Sequence, residues 1–132
     1  MLEWLAMEFL GSHILSIDQF ERTDIEKIFT TSDSLVPYAK RERITRVLQG
    51  AILSNMFFEP STRTRISFGS AFNILGGEVR ETTGIEATSL AKGESLYDTS
   101  RVLSGYSDII VMRHHEAGSV NEFANSFTDP AS

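Results

Sequence analysis

Between Phe57 and Arg65 the chain reads Phe-Phe-Glu-Pro-Ser-Thr-Arg-Thr-Arg. Ser61, Thr62 and Thr64 are short hydroxyl donors, and Arg63 brings a planar guanidinium fork that suits a pair of phosphate oxygens. A phosphate dianion requires such a set, because it only accepts hydrogen bonds. The simpler reading is a Ser/Thr helix cap with solvated arginines. A cap needs one hydroxyl, and this run has three beside an arginine. Other residues that could do chemistry are Lys92, next to Gly93 in a polar stretch, and Arg113-His114-His115-Glu116. Taken alone, Lys92 reads more readily as a solvated loop lysine. The two histidines are expected not to share a metal, because adjacent side chains on a strand point to opposite faces.

The elements around these residues follow from periodicity. Gly50 to Phe58 is a nearly continuous apolar run, which suits a strand buried on both faces. Pro60 forbids its smooth continuation. A helix is expected from Arg65 to Leu75 with Ile66, Phe68, Ala71, Phe72 and Leu75 facing the core, stopped by Gly76-Gly77. Its first turn would present free N–H groups and a partial positive charge to the Ser61–Thr64 run. Glu78 to Thr82 reads as a weakly apolar edge strand, and Thr83 to Glu94 as a long polar loop. A helix over Glu94–Tyr106 is expected to bury Leu96, Val102, Leu103 and Tyr106. Asp108 to Arg113 is a third strand, again a buried run. Gly118 to Phe127 is a last helix carrying Val120, Phe123 and Phe127.

Upstream, Leu2, Leu5, Ala6, Phe9 and Leu10 fit one face of a short helix. Thr23-Asp-Ile-Glu26 is a capping-box pattern. It opens a helix whose apolar face is Ile25, Ile28, Phe29, Ser32 and Val36, with a kink or break near Leu35 ahead of Pro37. The basic patch of Lys40, Arg41, Arg43 and Arg46 is diluted by Glu26 and Glu42, and reads as a solvated helix end. Alternating strands and helices imply an α/β fold, a doubly wound parallel sheet with flanking helices. The sheet is expected to stop before its last strand or strands, with an edge or apolar face left to cover.

The 132 residues carry 12 Lys+Arg against 18 Asp+Glu, a formal charge of −6, with 41% hydrophobic residues and no cysteine. This is the composition of one globular domain, residues 1–132. Without cysteine there is no disulfide framework, thiolate metal site or cysteine nucleophile. The acidic balance argues against broad nucleic-acid binding or an anionic membrane surface. It leaves room for a small, well-framed anion site where Arg63, Arg65, Lys92 and Arg113 would gather. Glu3 and Glu8 interrupt the N-terminal apolar run and no basic residue precedes it, so a signal peptide is not expected. No stretch approaches the ~18 apolar residues of a membrane span, and a cytoplasmic location is the default expectation.

Phe58-Glu-Pro-Ser-Thr-Arg-Thr-Arg65 is similar to the carbamoyl-phosphate signature of the aspartate/ornithine carbamoyltransferase family. Lys92-Gly-Glu-Ser-Leu-Tyr-Asp-Thr99 with Arg101-Val-Leu103, and Ile110-Val-Met-Arg-His114, resemble two further family blocks in the family's order and spacing. The resemblance covers nearly the whole chain. The Glu59-Pro60 variant, the Lys92-Gly-Glu block and Met112-Arg-His114 resemble the aspartate branch.

The resemblance implies a reaction without metal or organic cofactor. The amino group of L-aspartate attacks the carbonyl carbon of carbamoyl phosphate, phosphate leaves, and N-carbamoyl-L-aspartate forms, the committed step toward pyrimidines. By motif match, Ser61, Thr62, Arg63 and Thr64 hold the phosphate, and Arg63 steadies the leaving oxygen. Thr64 and Arg113 point at the carbonyl oxygen, where fixed donors aimed at developing charge act most strongly. The resemblance assigns Lys92, with Ser89 or Thr88, to a loop that enters a neighbouring subunit's site, which implies a homotrimer. It gives His114 a place in an Arg-His pair. Glu59 resembles a carboxylate that couples the two domains of the family; local pairing with Arg113 or Arg65 is the simpler role.

The family's His-Pro-x-Gln segment has no match in these 132 residues, nor has its aspartate-binding second domain. The chain therefore reads as the carbamoyl-phosphate-binding half of an aspartate-type enzyme, inactive alone. The alternatives are a non-catalytic phosphate-binding or assembly module derived from that family, and an ornithine-type carbamoyltransferase.

Overall fold

The computed structural model describes residues 8–83 and 95–126. Its contacts divide the chain into two compact units, Met1–Arg43 and Ile44–Ser132.

In the first unit, a short 3-10 helix at Ile17–Gln19 precedes α1, Arg22–Ala39. The capping box is real but lies two residues ahead of the expected one. Glu21 is the N-cap, and the Asp24 carboxylate accepts from the Glu21 N–H at 2.8 Å. Asp24 is thereby buried at the helix start; Glu21 takes the place expected for Thr23, and Asp24 that expected for Glu26. α1 also runs through Pro37 without ending at Leu35. Pro37 sits in the last turn, where its missing N–H removes one bond to a carbonyl that water can reach. Its own carbonyl accepts from the Glu42 and Arg43 N–H groups, which closes the turn. Ile28, Phe29 and Val36 of the expected apolar face are exposed. Phe9 and Leu10 are not helical, and Leu2, Leu5 and Ala6 lie outside the described residues.

The second unit is α/β. Its elements are β1 (Ile52–Phe57), α2 (Thr62–Ile74), β2 (Glu78–Thr83), α3 (Leu96–Tyr106), β3 (Ile109–Arg113) and α4 (Ser119–Asn125). The three strands form a parallel sheet in the order β2-β1-β3. β1 pairs on both sides, Ile52–Phe57 with Glu78–Thr83 and Leu53–Phe57 with Ile109–Arg113. Hence its apolar run is buried from Leu53 onward. Burial of Leu53, Met56, Phe57 and Phe58 contributes roughly 1.5–3 kcal/mol each, and Phe72 and Phe123 extend this core from α2 and α4.

β3 was expected to be as buried as β1. It is half-exposed, with Ile109 50% accessible. Among the described residues it pairs only with β1, so its outer edge and flanks lack the neighbours that burial needs.

The buried faces of the helices also differ from expectation. On α2, Ile66, Phe68 and Ala71 are exposed, and Gly69 and Phe72 face inward. A Cβ on Gly69 would stand 3.2 Å from Glu81 Oε1 and 3.7 Å from Asn55 Nδ2. The helix thus rides close on the sheet along its glycine side. Its end is as tight. Gly76 takes φ +97, and a Cβ on Gly77 would lie 2.1 Å from the Phe72 ring. On α3, Val102 and Tyr106 are exposed, Leu96 and Leu103 half-buried, and Thr99 and Ser100 buried. Ser100 meets Ser126 hydroxyl to hydroxyl at the end of α4. Small side chains let the two helices approach, which a periodicity of large apolar residues does not reveal. Phe127 lies outside the described residues. Among the described residues, no helix is long and apolar enough to cross a membrane.

Candidate anion site at the ends of β1 and β3

The chain leaves β1 for α2 and then β2 on one side, while β3 lies on the other side of β1. Neighbouring strands whose connections diverge leave a crevice beyond their carboxyl ends, where open α/β sheets bind ligands. The ladder carries on one step past β1, as the Phe58 N–H donates to the Arg113 carbonyl at 2.9 Å. That bond places Glu59 and Ser61 beside Arg113. The Arg113 guanidinium donates through Nη1 to Ser61 Oγ at 2.8 Å, and through Nε to a Glu59 carboxylate oxygen. Residues 52 and 54 positions apart in sequence are thereby joined. Of the two local roles open to Glu59, pairing with Arg113 is the one observed.

A cleft of about 290 Å³ lies here, lined by Phe57, Phe58, Glu59, Pro60, Ser61, Thr62 and Arg65. Thr62 opens α2. Its N-cap, Ser61, makes no side-chain cap bond, and the first turn holds no acidic residue. The first intrahelical bond runs from the Arg65 N–H to the Ser61 carbonyl. The preceding N–H groups and the positive end of the helix dipole therefore face the cleft without a capping side chain. Thr64 is half-buried in the same turn, and Arg63 is exposed and not part of the cleft lining. Uncapped N–H groups, hydroxyls and guanidinium groups around an open cleft can hold a small anion.

Arg65 was expected among the cations of this site. It does line the cleft, but its guanidinium pairs with Glu81 at 3.2 Å. Asn55, fully buried in β1, donates to the Arg65 carbonyl at 2.8 Å and to Glu81 Oε1 at 3.3 Å. Reading the sequence missed Asn55; the available signal was an amide, next to Ser54, inside a mostly apolar strand. Lys92, Ser89 and Thr88 lie outside the described residues.

The histidines depart from the expected geometry. His114 and His115 follow the end of β3, so strand alternation does not separate them, and their rings stack at 4.5 Å. His114 also packs against Phe58 at 5.1 Å. Its Nδ1 accepts from the Glu116 N–H at 3.0 Å, which puts the neutral ring's proton on Nε2. Burial, and then the nearby His115, hold its pKa below the usual 6.5. No group of three or more His, Asp or Glu side chains is close enough to hold a metal among the described residues.

The pattern that produced this crevice recurs in known proteins. The profile of the aspartate/ornithine carbamoyltransferase, carbamoyl-P binding domain, matches residues 12–130. The chain belongs to this family. It is 69% identical over 124 residues to the aspartate carbamoyltransferase catalytic subunit of Saccharophagus degradans, covering 94% of this chain and 37% of that one. The catalytic subunit of M. jannaschii aspartate transcarbamoylase superposes with a TM-score of 0.82 at 40% identity, over 88% of this chain and 39% of the other. Aspartate transcarbamoylase from Trypanosoma cruzi, in complex with carbamoyl phosphate, also gives 0.82, at 37% identity over 89% of this chain and 36% of its own. The chain thus spans a little over a third of the length of these relatives. The α/β parallel fold agrees with theirs.

Proposed function

We propose that this chain supplies the carbamoyl-phosphate half of an aspartate carbamoyltransferase, with the phosphate seated on the first turn of α2. The observation that carries the reading is the uncapped helix start, with Ser61 Oγ turned to Arg113 in place of its own helix. The aspartate-type names of the relatives favour L-aspartate over ornithine as the acceptor.

In this reading Ser61, Thr62, Arg63 and Thr64 bind the phosphate, and Thr64 and Arg113 hold the carbamoyl oxygen. The aspartate nitrogen forms a bond to the carbonyl carbon, the bond to the phosphate oxygen breaks, and the attacking amine gives up a proton. Arg63 would balance charge on the departing phosphate, and Arg113 on the oxygen of the tetrahedral intermediate. Holding both substrates in line supplies the rest. Lys92, with Ser89 or Thr88, enters from a neighbouring subunit of a homotrimer. Glu59 links this half to the part of the enzyme that binds aspartate. The place of action is the cytoplasm, and residues 1–132 act as one domain without turnover of their own.

Calorimetry with carbamoyl phosphate and with inorganic phosphate tests the site. Arg63→Ala should weaken binding roughly tenfold to 100-fold, the loss of a charge-assisted hydrogen bond, at an unchanged melting temperature. Binding indifferent to this substitution would leave the Ser61–Thr64 run a purely structural role. Carbamoyl aspartate produced by these 132 residues at the rates of a complete enzyme would overturn the half-site reading.

A further inference from the structure

We infer that Asn55, Arg65 and Glu81 form a positioning device for the first turn of α2, and that Arg65 is not a phosphate contact. The inference rests on the carbamoyl-phosphate reading for its purpose, and on the network itself for its geometry.

Three elements meet in this network. Asn55 comes from β1, Glu81 from β2 and Arg65 from the first turn of α2. Asn55 Nδ2 donates to the Arg65 carbonyl at 2.8 Å and to Glu81 Oε1 at 3.3 Å, while Arg65 Nη1 donates to Glu81 Oε2 at 3.2 Å. Both oxygens facing Asn55 only accept, so the amide must turn its nitrogen toward them. Its Oδ1 is then left buried without a partner among the described residues.

A buried unpaired acceptor is unfavourable. An apolar residue at position 55 would avoid it and suit the flanking Leu53, Met56 and Phe57 better. The arrangement therefore serves something other than core stability. What it fixes is the height and rotation of α2 over the sheet, one residue past Thr64. Gly69 belongs to the device, since a Cβ there would crowd the Glu81 carboxylate. Glu81 also neutralises the guanidinium of Arg65, which lines the cleft, as Glu59 pairs with that of Arg113.

The experiment has one arm without ligand and one with inorganic phosphate, both on the 132-residue chain. The variants are Glu81→Gln, Arg65→Met, and the swap Arg65→Glu with Glu81→Arg. Positioning predicts that each single substitution speeds hydrogen exchange of the residue-65 amide, which bonds to the Ser61 carbonyl at 3.0 Å, by about tenfold. Each should also weaken phosphate about tenfold, and the swap should restore part of both, since it returns the ion pair but no acceptor for the Asn55 amide. The dependence of phosphate affinity on ionic strength should stay unchanged in Arg65→Met and flatten in Arg63→Ala.

If Arg65 touches phosphate directly, Glu81→Gln tightens binding, Arg65→Met and the swap weaken it, and the inference is overturned. Unchanged exchange in both single variants overturns it as well. Glu81 is half-exposed, so Glu81→Gln retains a readable fold even if the swap does not. Should the unmodified chain fail to bind phosphate while the exchange arm behaves as described, the functional reading falls and the positioning device stands.

Discussion

α2 and α3 both begin after a serine, with different consequences. At α3, Ser95 Oγ accepts from the Asp98 N–H at 3.0 Å and donates to the Asp98 carboxylate at 2.8 Å. Cap and counter-charge come from the same turn, and the helix start is closed. At α2, Ser61 caps nothing, its hydroxyl accepts from Arg113 on another strand, and the first turn carries Arg63 and Arg65 where α3 carries Asp98. By local helix energetics α2 starts badly, since cations at the positive end of the dipole are unfavourable. Its stability comes instead from Phe72, Gly69 and the Asn55–Arg65–Glu81 network farther along. A helix held by its body can leave its first turn open to an anion.

The largest effect is expected from closing that turn. Thr62→Glu places a carboxylate at the first position of α2. It should raise stability by about 0.3–1 kcal/mol through the dipole. The same charge, about 4 Å from a bound phosphate, should reduce affinity roughly 100-fold or more. Denaturant titration and calorimetry on one sample read both. A variant that is less stable and still binds phosphate would break the contrast between the two helices.

The two serines provide a smaller and more symmetrical test. Ser95→Ala removes a real cap and should destabilise the chain by about 1 kcal/mol without altering phosphate binding. Ser61→Ala removes no cap. It should change stability by no more than about 0.5 kcal/mol, as exposed substitutions usually do, and weaken phosphate by about three- to tenfold. Equal stability losses in the two variants would mean that Ser61 caps α2 in solution.

The contrast was only half visible in the sequence. The strand–Pro60–hydroxyl–helix order was readable because β1 is a long apolar run and Pro60 ends it. The approach of Arg113 to Ser61 was not, because it depends on the register of β1 against β3, and parallel register leaves no mark in local periodicity. Periodicity also misassigned the inner faces of α2 and α3. It follows large apolar residues such as Ile66, Phe68 and Val102, whereas Gly69, Thr99 and Ser100 make the close contacts. Arg65 resembled Arg63 in type and spacing, and only the position of Glu81 on the neighbouring strand separates their roles.

The smallest effect, through pH, separates the two helix starts without touching either. His114 packs on Phe58 beside the α2 cleft, whereas the cap of α3 holds Ser95 and Asp98 and no histidine. Burial and His115 lower the folded-state pKa of His114, against opposing pulls from Glu116, Glu59 and Glu122. Between that lowered value and 6.5 the unfolded chain binds more protons than the folded one, so stability rises with pH there. The contribution is complete above 6.5 and is lost as pH falls through the folded pKa. Protonation also removes the acceptor for the Glu116 N–H and places a cation against the stacked His115 ring. A titration from pH 7.5 to 5 should therefore move the amide resonances of Phe58 and Glu116 and leave those of Ser95 to Asp98 still. His114→Gln should flatten the fall in melting temperature over the same range. A fall of equal steepness in that variant would assign the pH dependence to another group and remove His114 from the account of the cleft.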